Sequence, residues 1–126
     1  MIEAELIHKP IPQKTWFPPN DPGAGAIAEF RGVVRELENS APIRALRYTA
    51  YEKMAVAEIL RIAGELAEKH QIRAAHITHR LGEIPVGETS ILVAASSAHR
   101  AGAFAFLADF MDQMKKDVPI WKEPIA

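Results

Sequence analysis

The sequence of 126 residues is 48% hydrophobic and 25% charged, the balance of an ordinary globular protein, and residues 1–126 are expected to form one domain around one core. Fifteen Lys and Arg against sixteen Asp and Glu leave a net charge of −1, which argues against a general nucleic-acid surface or a polybasic membrane surface, so any cationic site must be local. The absence of cysteine excludes disulfides, thiolate catalysis and cysteine-based metal sites.

The first residues lack the basic and apolar regions of a secretory signal. No apolar run approaches the ~20 residues of a membrane-spanning helix, and a cytoplasmic location is the default expectation. Residues 2–8 alternate Ile2, Ala4 and Leu6 with Glu3 and Glu5, which predicts a short strand. Residues 9–23 carry five of the nine prolines and read as an irregular loop, which Trp16 and Phe17 are expected to pack down. Residues 24–35 (AGAIAEFRGVVR) predict a long strand, with Gly32 marking a bulge or a close approach. A polar turn over 36–42 leads to a strand over 43–51.

Residues 52–69 place Met54, Ile59, Ile62, Ala63 and Leu66 at near-helical spacing and predict an amphipathic helix. Residues 74–80 are strand-like, 81–88 form a turn-rich connection, and the apolar run 89–96 (TSILVAAS) reads as a buried strand. Ser97 is the expected N-cap of a final helix over 98 to about 116, which Pro119 stops. The order β, loop, β, β, α, β, β, α predicts an α+β two-layer sandwich, with two main helices on a mainly antiparallel sheet.

The last helix concentrates the candidate chemistry. His99 and Arg100 would sit near positions N2 and N3, where backbone N–H groups and the helix dipole already favour an anion; a solvated helix start is the plainer alternative. Lys115 and Lys116 fall at the helix exit, where the dipole favours cations in any case. Lys122 follows Pro119, Ile120 and Trp121, and a lysine held there beside apolar surface and other cations suits acid/base or nucleophilic work. Arg31 and Arg35, four apart, are expected on one strand face, either toward a ligand at Gly32 or simply as a polar outer face. His76 and His79 are three apart on a strand and so face opposite sides, which rules them out as a chelating pair. No residue set has a credible metal spacing, no serine sits in a nucleophile elbow, and there is no glycine-rich phosphate loop.

His99 and Lys115 lie about 24 Å apart along one straight helix. A compact pocket cannot use both ends within one chain. Either one end is functional, or a two-fold dimer builds each pocket from His99 and Arg100 of one subunit and Lys115 and Lys122 of its mate.

Taken in order, residues 25–35 (GAIAEFRGVVR), 46–55 (LRYTAYEKMA), 79–88 (HRLGEIPVGE), 96–100 (SSAHR) and 115–122 (KKDVPIWK) resemble the large, catalytic subunit of molybdopterin synthase. The resemblance covers roughly residues 24–122. It implies a sulfurtransferase of molybdenum cofactor biosynthesis, which turns cyclic pyranopterin monophosphate into molybdopterin by inserting two sulfurs as a dithiolene. The implied sulfur donor is a small ubiquitin-like carrier subunit bearing a thiocarboxylate on its C-terminal Gly-Gly tail. By position, Lys115 and Lys122 match the family's catalytic lysines and Arg35 an active-site arginine. His99 and Arg100 match substrate-anion residues, and Phe30 and Met111 match pocket-lining positions. No cofactor and no metal is expected. The implied assembly is a homodimer of large subunits with one small subunit at each end, a heterotetramer; the charge balance gives no reason to expect a nucleic-acid or membrane partner. Family members commonly continue past the Trp-Lys element with a basic tail, whereas this sequence ends at Ala126. Two other readings use the same cations: a non-catalytic dimeric module binding a phosphorylated ligand or a carrier tail, and a Schiff-base lysine enzyme.

Overall fold

The computed structural model describes residues 1–126. Strands β1 (Ile2–Ile7), β2 (Ala26–Val33), β6 (Ile72–Arg80) and β8 (Thr89–Ser97) form one sheet in the order β1-β6-β8-β2, with β3 (Leu37–Glu38) and β4 (Ala41–Pro42) as a small hairpin. A second sheet has the order β7-β5-β9, built from β5 (Ala45–Ala50), β7 (Gly82–Pro85) and β9 (Ile120–Ile125). Helix α1 (Glu52–Lys69) joins β5 to β6, and α2 (Arg100–Asp117) joins β8 to β9. Every strand pair is antiparallel except β1 with β6. The predicted α+β class with two helices on a mainly antiparallel sheet is therefore the observed one.

Both helices bury a stripe on the same face of the four-stranded sheet. Ala55, Ile59, Ile62 and Ala63 of α1, spaced four, three and one, meet Phe106, Phe110 and Met114 of α2 over Ala75, Ile77, Ile91, Val93 and Ala95. The alanines at the contact let the helices sit close, while Phe106 and Phe110 stack with centroids 5.9 Å apart and fill the gap between layers. Burying each phenylalanine contributes about 1.5–3 kcal/mol.

The opposite face of the sheet is covered by the proline-rich segment before β2. Ile11 is buried, Trp16 stacks on His76 at 6.4 Å, and Arg31 donates to the carbonyls of Pro12 and Lys14, each at 3.1 Å. Arg73 on β6 holds the far end of that segment through Asp21 at 2.8 Å. The segment packs down as expected, although Phe17 stays exposed. Covering on both faces explains why β8 is a continuous apolar run rather than an alternating one. No helix is long and apolar enough to cross a membrane.

The second sheet differs from the sequence reading. The segment after Pro119, to which the sequence assigned no element, is a strand, and residues 82–85 of the predicted connection are a strand as well. On one face of this sheet Arg47 bonds Glu123 of β9 at 2.8 Å and Glu83 of β7 at 3.4 Å, tying the three strands together. Glu83 is held below the usual carboxylate range, chiefly by its hydrogen bond to Arg44. The pleat then turns Leu46 and Tyr48 to the other face, toward the end of α2.

Candidate active site

Where the two sheets meet beneath the C-terminal end of α2 there is a cavity of about 420 Å³. Its floor is a row across three strands of the main sheet: His79 opposes Ile91, and Ile91 opposes Gly32. A Cβ on Gly32 would lie 2.8 Å from Ile91 Cγ2, so only glycine leaves this floor open. The predicted bulge lies here too, with the β2 register shifting between Gly32 and Val33.

Each wall follows from local periodicity. On α2, Met111, Met114 and Lys115 occupy one stripe at offsets of three and four, the C-cap Val118 follows at seven, and all line the cavity. That stripe selects Lys115 over its neighbour Lys116. On β9, Ile120 and Lys122 alternate onto the cavity side, and Lys122 pairs with Tyr48 across the ladder. Past the bulge, Arg35 reaches the rim, while Phe30 of β2 contributes an apolar wall.

Five of the seven predicted site residues, Phe30, Arg35, Met111, Lys115 and Lys122, therefore line one cavity. His99 and Arg100 do not: the unbroken α2 carries them at its opposite end. Their local placement also differs from the sequence reading. His99 is the N-cap and Arg100 the first helical residue, because β8 keeps the backbone extended through Ser97. Ser97 lies outside the helix, yet its hydroxyl still accepts from the Ala103 N–H at 3.1 Å. Arg31 and Arg35 do not share a face; Arg31 clamps the covering segment, and the bulge re-aims the chain before Arg35. Trp121, next to Lys122, lies half exposed against the edge of Tyr51 at 5.0 Å.

The charged lining is three cations, Arg35, Lys115 and Lys122, against one carboxylate, Glu38. Glu38 Oε1 lies 3.1 Å from Lys122 Nζ, and its side chain is only 16% exposed. The β3–β4 hairpin presents it, with Asn39 and Ser40 both at positive φ as a two-residue turn of this kind requires. His76 and His79 face opposite sides of the sheet, as their spacing predicted: His76 lies under Trp16, and His79 lines the cavity. Burial pushes the His79 imidazole down to about 4, against a smaller opposing effect of its bond to the Arg80 carbonyl. Sequence reasoning missed Glu38, Tyr48 and His79. The signals available were the Asn-Ser turn after Glu38 and the period-two placement of Tyr48 beside Leu46.

An apolar chamber with three cations at its rim can hold a flat ring with anionic substituents and offset charge that develops during group transfer. A Drosophila willistoni protein named molybdopterin synthase catalytic subunit is 38% identical over 127 residues, covering 99% of this chain and 34% of that protein. One of the same name from Bacillus subtilis (strain 168) is 42% identical over 102 residues, covering 81% of this chain and 65% of that protein. The chain thus spans about one third to two thirds of the length of these relatives. The X-ray structure of molybdopterin synthase from Staphylococcus aureus superposes with a TM-score of 0.86 at 31% identity, covering 96% of this chain and 89% of that one. The family model described as MoaE protein matches residues 6–117, and the chain belongs to that family.

Proposed function

We propose that residues 1–126 act as one large-subunit-like domain of a cytoplasmic molybdopterin synthase, transferring two sulfurs from a thiocarboxylated carrier subunit to cyclic pyranopterin monophosphate. The observation that carries this reading is the convergence of Phe30, Arg35, Met111, Lys115 and Lys122, drawn from three elements and the segment after β2, on one cavity. The relatives' shared name, catalytic subunit, supports it.

The carrier supplies the nucleophile, so no cysteine is needed. Its thiocarboxylate sulfur bonds to a substrate carbon as a carbon–oxygen bond breaks, giving an acyl thioester that joins the two molecules. Water then attacks the acyl carbon; the carrier leaves as a carboxylate and the sulfur stays on the substrate as a thiol. A second carrier repeats the step at the neighbouring carbon. Two anions must be held together throughout, and Arg35, Lys115 and Lys122 offset that charge. Lys115 and Lys122 stabilise the oxyanion of the hydrolytic step and exchange the protons it requires. His99 and Arg100 of a second copy complete the substrate-phosphate site in a homodimer, itself the core of a heterotetramer.

The test mixes the protein with thiocarboxylated carrier and cyclic pyranopterin monophosphate and follows dithiolene product. Lys115→Ala should cut the rate by about 100-fold or more, whereas Lys116→Ala, off the cavity stripe, should leave it unchanged. An undiminished rate in Lys115→Ala would sink the assignment. Shared sites make a second expectation: equal amounts of inactive Arg100→Ala and Lys115→Ala chains, unfolded and refolded together, should recover about a quarter of wild-type activity. Half of the dimers would then be mixed, each with one intact site. No recovery would show that the two helix ends do not meet across a dimer.

A further inference from the structure

His79 lies on the cavity floor but has no part in the charge handling described above. Strand alternation sends Ala75, Ile77 and His79 to the helix-covered face; the first two enter the core, and His79 arrives where the core opens. The residue is 4% exposed. Its Nδ1 is 2.8 Å from the Arg80 carbonyl, and a carbonyl oxygen only accepts, so Nδ1 carries the hydrogen. Burial keeps the ring neutral. A neutral imidazole has one N–H, which leaves Nε2 as an acceptor.

No group of the chain donates to Nε2. Tyr48 meets the ring at a centroid distance of 4.8 Å and an interplanar angle of 66°, which fixes the orientation of that lone pair without pairing it. Nε2 is not among the buried side-chain atoms that lack a partner, so it opens onto the cavity, and a ligand that brings a donor takes the place of solvent there. Anions gain nothing from a lone pair; they belong with Arg35, Lys115 and Lys122. Phe30, Ile91 and Met111 supply apolar contact for a flat ring between floor and helix.

We propose that His79 is a specificity-determining residue, accepting through Nε2 a hydrogen bond from an N–H on the edge of a flat nitrogen heterocycle bound in the cavity. The proposal rests on the reading of this cavity as the site of a phosphorylated pterin, and it names the atom that recognises the ring rather than the phosphate. The acceptor discriminates against ring systems that present only lone pairs at that edge.

Binding is measured on the full chain with cyclic pyranopterin monophosphate and, as a probe of charge alone, inorganic pyrophosphate. His79→Leu should weaken the pterin about tenfold and leave pyrophosphate unchanged, while His79→Gln, whose amide oxygen can accept, should recover most of the loss. In the complete assay KM should rise with kcat held. Nitrogen NMR of the wild-type protein provides a readout independent of any variant's folding: the unprotonated Nε2 resonance should move upfield when the pterin binds. Pterin affinity unaltered in His79→Leu, or an Nε2 resonance unmoved at saturation, overturns the role of His79 alone. A wild-type chain that binds pyrophosphate but not the pterin overturns the reading of the cavity and this proposal with it.

Discussion

Gly32→Ala places one methyl group on the cavity floor, and its cost can be worked from the packing around it. The new Cβ would stand 2.8 Å from Ile91 Cγ2, 3.5 Å from Ser90 Oγ and 3.6 Å from Phe30 Cε2. The first separation falls roughly 0.7 Å short of a comfortable carbon–carbon contact of about 3.5 Å. Ile91 cannot swing aside, because it is β-branched and 4% exposed. Nor can the backbone give freely, since Gly32 pairs with Ile91 in the ladder and its carbonyl accepts from Ser90 Oγ at 3.2 Å. Overpacking of this kind costs about 1–3 kcal/mol, and Ile91→Ala alone should cost about 2–5 kcal/mol through the void it leaves. If the clash with Cγ2 is the cause, the two changes compensate. Gly32→Ala should then cost almost nothing, or stabilise, in the Ile91→Ala background. Urea unfolding of the four proteins at one protein concentration reads the coupling, which should be about 1–3 kcal/mol in the rescuing direction. Additive costs, within about 0.5 kcal/mol, would refute the claim that Ile91 is what forbids a side chain at position 32.

Stability should also depend on pH through His79. Its folded value near 4 lies below the ordinary 6.5, so between those values the unfolded chain binds a proton that the folded chain does not. Stability is complete above pH 6.5 and falls as pH drops toward 4, by about 3 kcal/mol in total. Urea midpoints from pH 7.5 to 4.5 should show that slope in the wild type and lose it in His79→Gln; equal slopes would contradict the burial argument. Glu38→Gln removes the one carboxylate lining the cavity and frees Lys122. Pyrophosphate affinity should rise severalfold by titration calorimetry, with stability within about 0.5 kcal/mol of wild type because the Lys122 end of the pair is half exposed. Unchanged affinity would show that Glu38 does not compete for the anion site.

Helix α1 was legible in the sequence because its apolar stripe and its flanks agree, and the predicted bounds 52–69 are the observed ones. β8 was legible because its apolar run admits only a buried strand, and eight of its nine residues are buried. The strand β9 was hidden by Pro124, a residue that normally argues against a strand. It is tolerated because β9 is an edge of its sheet, bonded only to β5, and an edge strand has N–H groups to spare. β7 was hidden in the same way between Gly82 and Pro85, at the other edge. The cavity's cations could be named from sequence, since charge on a short segment stands out. Glu38 and His79 could not, because their importance arises from pairings thirty or more residues away: Glu38 with Lys122, and the His79 ring with Tyr48 across to β5. Arg35 lay within reach of periodicity, but the bulge at Gly32/Val33 broke the alternation that placed it beside Arg31.

The unbroken run of α2 makes its length a setting that evolution can change only in particular steps. One residue inserted between Arg100 and Lys115 would turn the lysine about 100° around the axis and carry it about 1.5 Å along. That would bring Lys116's neighbourhood into trouble as well, by sending Met114 out of the core. Seven residues inserted together would restore the stripe almost in phase, yet push the helix ends about 10.5 Å farther apart. Insertions in this helix should thus be excluded singly and be tolerated as whole turns only if whatever meets its far end shifts too. Loops such as 9–23, whose position is secured by a few carbonyl and arginine contacts, carry no such restriction on their length.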